Sequence, residues 1–562
     1  MSDKGPDKPN VLLLLKLLFN RRMIGLLMKS KTRNMMKALR SGGLFIYGLD
    51  RYPEKTAIVY GERRLTYREF LKRINRFNNG LLSLGLKKGD VIAVLAGNSN
   101  ELLEAALGPS LIGIRTVPVN WHLKSSEIEY IINNSDSKVL VIEDQYLEKI
   151  SSIKSNLKNI KEYIVAGDKV PDGMVSYERL LGDSSDADPR VPGGGGGLML
   201  YTSGTTGRPK GTQSRALKDP SALSADDLAD IVLMMSNMFY ALDFDKTTNI
   251  TLAAAPLYHG SPLAFCGAAF FFGGTVVIMK KFDPEEALKL IEKERVSTAF
   301  MPPILLRRIM DVPGKEDYDV SSMKALVSAA APCPAELKAN IVDFFGPCFY
   351  EFYGSTDAAM NALLKPEHYQ KSPEKIKSVG IALDGNKIKI VDEHGKELPP
   401  NVPGELVLSN VVVKHLEYHK DPEKTRESYV NIDGEIYFRE GEVGYVDDEG
   451  FLYIVDRKKD MIISGGVNIY PAEIEEVLLL HPSVLDAAVI GVPDEKWGES
   501  IKAIIVLREG MSATEEEMIE YCNEQLAGYK RPKSVDFTKE LPRLPSGKLM
   551  KRELRERYRV GC

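Results

Sequence analysis

Short apolar runs alternate with amphipathic stretches along the first part of the chain, and this alternation constrains the fold more than any other feature. Residues 56–60, 91–96 and 139–142 have the pattern of strands, and helical patterns separate them. The first helix is expected to begin after Thr66, because Thr66 and Glu69 have the spacing of a capping box. Repeated strand–helix units of this kind predict an α/β fold with doubly wound parallel sheets.

Length and charge restrict the class of protein further. The chain has 562 residues, which is too long for one hydrophobic core, so two or more domains are expected. The net charge of −4 gives no support for a nucleic-acid partner. The five cysteines are scattered and show no CxxC spacing, which predicts reduced thiols in a cytoplasmic protein and no zinc site. Composition does not predict an oligomeric state.

Residues 1–45 form a basic, apolar N-terminal segment. Between Val11 and Arg40 there are several lysines and arginines and no acidic residue. The apolar runs are shorter than the ~20 residues that a spanning helix needs. The pattern suits a helix lying in a membrane interface, which would place the protein peripherally on the inner face of a membrane. It equally suits a helix that docks on the protein's own apolar surface.

A loop rich in glycine and hydroxyl groups follows. Residues 166–197 are rich in Gly, Pro, Asp and Ser and are predicted to be a surface excursion. A short strand at 198–200 then leads into YTSGTTGRPKG at 201–211. Glycine backbone N–H groups and hydroxyls suit a phosphate, and Lys210 adds a positive charge. The loop is not a Walker A motif, because Gly211 and not Ser or Thr follows Lys210.

The whole string resembles the phosphate-binding signature of the adenylate-forming superfamily, which includes acyl-CoA synthetases, luciferases and peptide-synthetase adenylation domains. Further matching motifs occur in the family's order: AAPLYHGSPL, ALVSAAAP, FYEFYGSTD, YFREGEVGYVD, DRKKDMIISGGVNI and LPRLPSGK. The resemblance implies a large AMP-binding domain at 46–456 and a small mobile C-terminal α/β domain at 457–562, with a hinge near Lys459. It also implies ATP, Mg²⁺ and coenzyme A as cofactor and co-substrates.

The same resemblance implies roles for individual residues around the nucleotide. It places the phosphates of ATP on Thr202, Ser203, Gly204, Thr205, Thr206, Gly207 and Lys210. It places adenine and the rest of the nucleotide against Ala330, Glu351, Tyr353, Gly354 and Thr356, with Tyr353 stacked on the base and Thr356 on phosphate. Glu442 would bind both ribose hydroxyls, and Arg457 would contact the ribose or a phosphate. Mg²⁺ would be held by Asp357 and Thr205.

Other matched residues are implied to serve the acid and the thiol. Lys548, in a Pro-Ser-Gly-Lys turn, would bridge the carboxylate and the α-phosphate, and it forms the implied catalytic set with Thr205 and Lys210. His259 would line the acid pocket beside Gly354, in a steric and hydrogen-bonding role and not as a base. Lys459 falls on the hinge position. The backbone of Ser464, Gly465 and Gly466 would form the wall of a tunnel for the pantetheine arm of coenzyme A.

Two acids depart from the family pattern. Asp357 stands where the family usually has Glu, and Glu442 stands where it usually has Asp. Mg²⁺ requires oxygens at about 2.0–2.1 Å in octahedral geometry, and a bridging water can absorb the shorter side chain of Asp357. We hypothesise that the two exchanges offset each other through a small shift of the nucleotide.

The function that the resemblance implies is a two-step acid–thiol ligase, in which a carboxylic acid and ATP form an acyl-adenylate and coenzyme A then takes the acyl group. The N-terminal segment, a methionine-bearing helix at 231–240 and the phenylalanines at 265–272 favour a hydrophobic acid, either a medium- or long-chain fatty acid or a bulky ring-bearing acid. Two alternatives are an adenylating enzyme that uses another acceptor, and a membrane-associated lipid-uptake or interaction protein with an impaired site. The two exchanged acids are the support for the last.

Overall fold

The computed structural model describes residues 48–191, 196–202, 209–214, 224–240, 242, 250–543 and 549–559. The basic N-terminal segment lies outside these residues. So do Lys548 and most of the predicted phosphate loop, namely Ser203, Gly204, Thr205, Thr206 and Gly207. Within the described ranges, no helix combines the length and the apolar character needed to cross a membrane. Strands and helices are numbered below in chain order over the described residues.

Nine strands of the described chain form the largest sheet, in the order β17-β16-β15-β14-β13-β11-β12-β1-β2. Its strands are β1 (Thr56–Tyr60), β2 (Arg63–Thr66), β11 (Ile250–Ala253), β12 (Thr275–Ile278), β13 (Thr298–Phe300), β14 (Ala325–Ser328), β15 (Phe349–Ser355), β16 (Ala359–Leu364) and β17 (Ile381–Ala382). The pairs that join the six central strands are parallel. At one edge β2 pairs antiparallel with β1, and at the other edge β16 and β17 are antiparallel additions to β15. The carboxyl ends of the parallel strands therefore meet at one edge of the sheet.

A second parallel sheet contains six strands among the described residues, in the order β7-β6-β5-β3-β4-β8. They are β3 (Val91–Leu95), β4 (Arg115–Pro118), β5 (Val139–Glu143), β6 (Glu162–Ala166), β7 (Val175–Ser176) and β8 (Gly197–Leu198). Every pair in it is parallel. Two parallel sheets with intervening helices confirm the predicted α/β fold class.

Helices cover these sheets and the smaller ones. Over the described residues they are α1 (Tyr67–Ser83), α2 (Asn100–Leu107), α3 (Ser125–Asn134), α4 (Leu147–Ser151), α5 (Tyr177–Asp183), α6 (Ala225–Tyr240), α7 (Gly260–Phe272), α8 (Pro284–Glu294), α9 (Pro303–Met310), α10 (Ala335–Phe345), α11 (Pro366–Lys371), α12 (Val411–Lys414), α13 (Pro422–Glu427), α14 (Pro471–Leu479), α15 (Glu515–Gln525) and α16 (Lys551–Arg559). The predicted capping box is confirmed at α1, where the Thr66 side chain accepts from Glu69 N and the Glu69 carboxylate accepts from Thr66 N.

Packing between α1 and α5 corrects the prediction of a surface excursion at 166–197. Tyr177 is fully buried in α5, and its ring stacks on Phe77 of α1 with centroids 5.1 Å apart. Leu180 and Leu181 bury beside it in the core under the two parallel sheets. The Gly/Pro/Asp/Ser composition of the segment did not predict this short helix. Three buried apolar side chains are enough to dock it on the core.

The phenylalanines after His259 are accounted for by ordinary core packing. Phe265 and Phe271 belong to the core beneath the nine-stranded sheet, and Phe270 belongs to the core between the two parallel sheets. Phe272 packs against the first of these cores. They therefore give no independent support for a fatty acid pocket.

Two antiparallel sheets complete the large part of the molecule, with three and five strands over the described residues. The first has the order β20-β10-β9 and contains β9 (Leu200–Thr202), β10 (Lys210–Ser214) and β20 (Leu416–Tyr418). The second has the order β18-β19-β22-β21 with β23 on β22, and contains β18 (Lys387–Val391), β19 (Gly404–Ser409), β21 (Tyr429–Ile432), β22 (Glu435–Val446) and β23 (Leu452–Arg457).

The C-terminal part has its own sheet, with five strands among the residues described there. They are β24 (Ile462–Ser464), β25 (Val467–Ile469), β26 (Val484–Asp494), β27 (Gly498–Leu507) and β28 (Ser534–Phe537). Residues of α14 and α15 bury against one face, and Leu554 of α16 buries against the other. The predicted domain boundary at 456/457 stays a prediction.

Candidate functional site

Loops at the carboxyl ends of three parallel strands bring predicted residues to one edge of the nine-stranded sheet. His259 follows β11, Ala330 follows β14, and Tyr353 and Gly354 lie at the end of β15, shortly before Asp357. This edge is where open parallel sheets bind ligands. The fold therefore gathers side chains that are almost a hundred residues apart in the sequence.

The backbone at this edge is shaped for close approach. Ala330 has a φ of 77°, a left-handed conformation that costs free energy in a residue other than glycine and that concentrates at functional sites. At Gly354, an added Cβ would lie 2.1 Å from the carbonyl oxygen of Ala359. A side chain at position 354 would therefore push the β15–β16 turn apart.

Ser355 holds the turn that carries Asp357. Its Oγ accepts hydrogen bonds from the backbone N–H groups of Asp357 (3.2 Å) and Ala358 (3.0 Å). The same Oγ donates to Glu440 Oε1 at 2.7 Å. Burial raises the pKa of Glu440 to about 8, and the nearby Glu442 carboxylate adds to the rise. Glu440 thus ties the turn to β22.

The predicted phosphate end of the site lies at the three-stranded sheet. β9 and β10 are antiparallel, so that Lys210 pairs directly with Thr202 across the predicted phosphate loop. Lys210 Nζ lies 3.3 Å from Asp421 Oδ2 and 5.6 Å from the ring centroid of Tyr418. The Tyr418 hydroxyl in turn donates to Asp357 Oδ2 at 2.8 Å. Tyr418 therefore links the two residues predicted to bind phosphate and metal.

The donor set at Asp357 fits a magnesium ion. Mg²⁺ prefers hard oxygen ligands and is usually held by one or two carboxylates together with substrate phosphates and waters. Asp357 is a half-buried carboxylate in the turn after β15. Over the described residues, no group of three or more His, Cys, Asp or Glu side chains could hold a metal. A cation here would thus depend on the nucleotide for most of its ligands, as Mg²⁺–ATP does.

Glu442 and Arg457, both predicted to contact the nucleotide, lie close to each other. They lie opposite each other on β22 and β23, and Arg457 Nε is 3.7 Å from Glu442 Oε1. Burial, followed by the Glu442 and Glu440 charges, raises the pKa of the Tyr353 hydroxyl. Tyr353, Glu442 and Arg457 thus share one electrostatic environment, in which a carboxylate can accept from ribose hydroxyls.

Glu351 has a different partner from the predicted nucleotide. Its carboxylate pairs with Lys338 of α10, and both side chains are almost fully buried. Lys338 Nζ also donates to the carbonyl oxygens of Ile376 (2.9 Å) and Ser378 (3.0 Å). This ion pair fixes α10 against β15, and a direct nucleotide contact by Glu351 stays a prediction.

His259 directly precedes α7, and its side chain is half-buried and makes no capping hydrogen bond to the helix. Burial lowers its pKa to about 4, and the neighbouring His122 contributes. Its ring lies 4.4 Å from that of Tyr258, centroid to centroid. A neutral imidazole agrees with the predicted steric and hydrogen-bonding role. Thr356, by contrast, is exposed.

Ion pairs surround the predicted hinge. Lys458 Nζ lies 3.1 Å from Glu405 Oε2, and Lys458 N donates to the carbonyl of Gly441. On the other side, Arg555 of α16 contacts Asp460 at 2.6 Å and donates to the carbonyl of Lys459 at 3.4 Å. Burial is also the main cause that lowers the pKa of Lys459. The last described helix, α16, is therefore fastened to the predicted hinge.

The predicted coenzyme A wall is a tight turn between β24 and β25. Gly465 has a φ of 59° and Gly466 a φ of 81°, as in the turns that glycine pairs favour in hairpins. A Cβ on Gly465 would meet the Trp497 ring at 2.7 Å, whereas a Cβ on Gly466 would meet no atom within 4 Å. Ser464 ends β24, next to this turn.

Four residues of the site were not predicted from the sequence: Tyr418, Asp421, Ser355 and Glu440. Tyr418 and Asp421 reach the site only because β20 pairs with β10, which is a long-range pairing without a local signal. Ser355 lies inside a recognised motif and is the i−2 neighbour of Asp357, so its Ser-turn could have been predicted.

Together, the loops at the sheet edge, a lysine held opposite a carboxylate and the acidic β22 define a nucleotide-binding enzyme of the α/β class. A sequence model described as AMP-binding enzyme matches residues 47–413, and one described as AMP-binding enzyme C-terminal domain matches residues 473–548. The chain belongs to the family of AMP-binding enzymes.

Named relatives and a solved structure extend over nearly the whole chain. Feruloyl-CoA synthase of an Amycolatopsis species is 35% identical over 90% of this chain and 96% of its own. Fatty acid–[acyl-carrier-protein] ligase ScoC of Streptomyces coeruleorubidus is 32% identical over 90% of this chain and 94% of its own. The crystal structure of ATP-bound MatB from Rhodopseudomonas palustris has a TM-score of 0.79 at 30% identity, covering 92% of this chain and 99% of that one.

Proposed function

We propose that this protein is an ATP-dependent acid–thiol ligase that converts a hydrophobic carboxylic acid, ATP and coenzyme A into acyl-CoA, AMP and pyrophosphate. In the first step, an oxygen of the acid forms a bond to the α-phosphorus of ATP, and the bond from that phosphorus to pyrophosphate breaks. In the second step, the thiol sulfur of coenzyme A bonds to the acyl carbon, AMP leaves and the thiol proton is lost to solvent.

The observation that carries the proposal is the link from Lys210 through Tyr418 to Asp357. Lys210, which offers a charge to phosphate oxygens, lies over the Tyr418 ring, and the hydroxyl of the same tyrosine donates to Asp357. A magnesium ion held at Asp357 would neutralise phosphate charge. Preorganised charges of this kind stabilise the developing negative charge of the transition state. Lys548, outside the described residues, is proposed to add its charge between the carboxylate and the α-phosphate.

Coenzyme A is the acceptor that we favour, because the feruloyl-CoA synthase relative is named for it. The relative named as an acyl-carrier-protein ligase supports a second acceptor, a phosphopantetheine arm on a separate carrier protein. Both acceptors present the same thiol, so the turn at Gly465 and Gly466 suits either. The two are separated by supplying each in turn.

The test is pyrophosphate release by purified protein with ATP, Mg²⁺ and a panel of acids, with and without coenzyme A. We expect release that depends on an acid, and thioester only when coenzyme A is present. Tyr418→Phe should lower kcat/KM for ATP by roughly 10- to 100-fold, since a hydrogen bond to a charged group contributes about 1.5–3 kcal/mol.

Tyr369→Phe is the matched control, because its hydroxyl donates to the backbone carbonyl of Phe349 at 3.0 Å and not to a site carboxylate. It should lower kcat/KM by less than Tyr418→Phe. Absence of acid-dependent pyrophosphate release with every acid would contradict the proposal. If thioester formed on a carrier protein but not on coenzyme A, the carrier protein would be the acceptor in place of coenzyme A. The proposed adenylation step would stand.

A further inference from the structure

Two asparagine side chains are buried beside the turn that carries Asp357. Asn361 lies on β16 and is 0% exposed, whereas Asn410 directly precedes α12 and is 2% exposed. The Asn410 amide nitrogen donates to Asn361 Oδ1 at 2.8 Å. We name these two residues the amide pair. A buried polar network whose hydrogen bonds are made holds its surroundings in one arrangement, so the groups that the amide pair contacts are held firmly.

Both amides hold the carbonyl side of the Asp357 turn. Asn410 Nδ2 donates to the carbonyl oxygen of Ala358 at 2.9 Å. Asn361 Nδ2 donates to the same oxygen at 3.0 Å and to the carbonyl oxygen of Ala359 at 3.2 Å. Ala359 has a φ of 56°, and a strained conformation of this kind persists only where the surrounding structure holds it. The amide pair therefore keeps the backbone next to Asp357 in its strained form.

Asn410 also fixes the segment that leads to Tyr418. Its Oδ1 accepts from the backbone N–H groups of Val412 (2.8 Å) and Val413 (3.0 Å), and it thereby caps α12. β20 begins two residues after α12 ends, and Tyr418 is its last residue. Val413 and Tyr418 belong to the same buried core as the residue after Asp357. One side chain thus contacts both the turn of Asp357 and the segment that carries its hydrogen-bond donor.

From these contacts we propose that Asn361 and Asn410 are positioning residues, which place the Asp357 carboxylate against the Tyr418 hydroxyl and so set the affinity for magnesium-bound ATP. The inference rests on the proposed function and extends it to residues that act through Asp357. Mg²⁺ requires nearly ideal octahedral geometry, so a displaced carboxylate is a poorer ligand. The part of the ATP affinity that depends on Mg²⁺ should therefore depend on the amide pair.

Asn410→Ser separates the two roles of Asn410. Serine is a good helix cap, so α12 keeps its cap, but the donations from the amide nitrogen are lost. Asn361→Ser is the second variant, which removes the other amide and leaves the cap in place. Asn78→Ser is the matched control, because Asn78 of α1 is 0% exposed and its amide donates to the carbonyl oxygen of Gly108 at 3.0 Å.

The experiment measures the binding of α,β-methylene-ATP to the full chain by titration calorimetry, once with Mg²⁺ and once with EDTA. The methylene group replaces the bridging oxygen of the bond that adenylation breaks, so turnover does not contribute. We expect each variant of the amide pair to weaken binding with Mg²⁺ by about tenfold and binding in EDTA by less than about twofold. Asn78→Ser should change neither. Thermal unfolding shows how much stability each variant has lost.

A double-mutant cycle with Tyr418→Phe tests whether Asn410 acts through Asp357. Both substitutions would then disturb the same carboxylate, so their combined loss of Mg²⁺-dependent affinity should be smaller than the product of the two single losses. Tyr418→Phe combined with Asn78→Ser should lose no more affinity than Tyr418→Phe alone.

Equal losses with Mg²⁺ and with EDTA, an equal loss in Asn78→Ser, or fully multiplicative losses in the cycle would each overturn the inference. If Asn410→Ser does not fold, the same outcomes for Asn361→Ser decide.

The calorimetry needs no turnover, so it decides the inference separately from the ligase reaction. A selective loss in a protein that releases no pyrophosphate would support the amide pair and contradict the proposed function. Acid-dependent pyrophosphate release, together with unchanged Mg²⁺-dependent binding in both variants of the amide pair, would support the ligase and overturn the inference. Absence of Mg²⁺-dependent nucleotide binding by the parent protein would overturn both.

Discussion

His259 shows at the scale of one residue how burial sets the charge of the site. Its pKa is lowered to about 4, whereas an unfolded chain has the ordinary histidine pKa near 6.5. Between these values the unfolded chain binds more protons than the folded protein, so folded stability falls as the pH drops from 6.5 to 4. His259→Gln should remove this part of the pH dependence, of order 1–3 kcal/mol.

The measurement is the midpoint of thermal unfolding of the parent protein and of His259→Gln from pH 4 to pH 8. The two curves should run parallel above pH 7 and converge toward, or cross at, acid pH. His394→Gln provides a control, because His394 is 82% exposed beside Glu393. Curves for His259→Gln that stay parallel to the parent down to pH 4 would show that His259 is not held neutral.

At the scale of one structural element, the turn at Gly465 and Gly466 between β24 and β25 allows the predicted path of the thiol to be tested. Gly466→Ala adds a methyl group into open space but places it on a backbone with φ of 81°, a strain of about 1 kcal/mol. If the turn lines the thiol path, thioester formation should fall by tenfold or more, since small displacements near reacting groups can cost about 10²-fold. Adenylation without coenzyme A should be preserved.

Gly465→Ala is the companion variant and should behave differently. Its methyl group would meet the Trp497 ring at 2.7 Å, so we expect a lower unfolding temperature of the C-terminal part as well as slower thioester formation. Single-turnover rates for the two half-reactions distinguish these effects. Equal losses of both half-reactions in Gly466→Ala would contradict a specific role of the turn in thiol entry.

At the scale of the whole molecule, the contacts around Lys459 couple the last described helix, α16, to the predicted hinge. Arg555 on α16 bonds Asp460 and the carbonyl of Lys459, and α16 begins three residues after Lys548. We expect Arg555→Ala to reduce kcat of adenylation by roughly tenfold, because a charge-assisted hydrogen bond that fixes α16 is lost.

Arg552→Ala is the matched control on the same helix. Arg552 is 61% exposed and pairs with Glu556 one turn later, and such exposed pairs contribute little. Both variants are assayed for pyrophosphate release and for single-turnover thioester formation. Similar small losses in the two variants would show that the contacts of α16 with the predicted hinge do not influence adenylation.

Local signals in the sequence predicted local structure well. The capping box at Thr66 and the strand–helix alternation depend on residues a few positions apart, and both are found in the structure. The site residues were predicted from motif resemblance, and their roles stay predictions. What the sequence lacked was the pairing of distant segments: Tyr418 enters the site only through β20 and β10, and Lys338 captures Glu351 only because α10 packs on β15. No single contact explains why Asp357 and Glu442 depart from the family pattern.

The three-stranded sheet has a consequence for how the enzyme is made. Lys210 lies on β10 of this sheet. The third strand, β20, comes from residues about two hundred positions later, and Gln213 Nε2 on β10 donates to Glu417 Oε1 on β20 at 2.8 Å. Pairings of such sequence separation form slowly, after local structure. On the ribosome, an emerging chain shorter than 418 residues lacks both Asp421, the aspartate that pairs with Lys210, and Tyr418, the tyrosine whose hydroxyl donates to Asp357. Nascent fragments that already contain the complete phosphate motif should therefore not bind a nucleotide until most of the large domain has been translated.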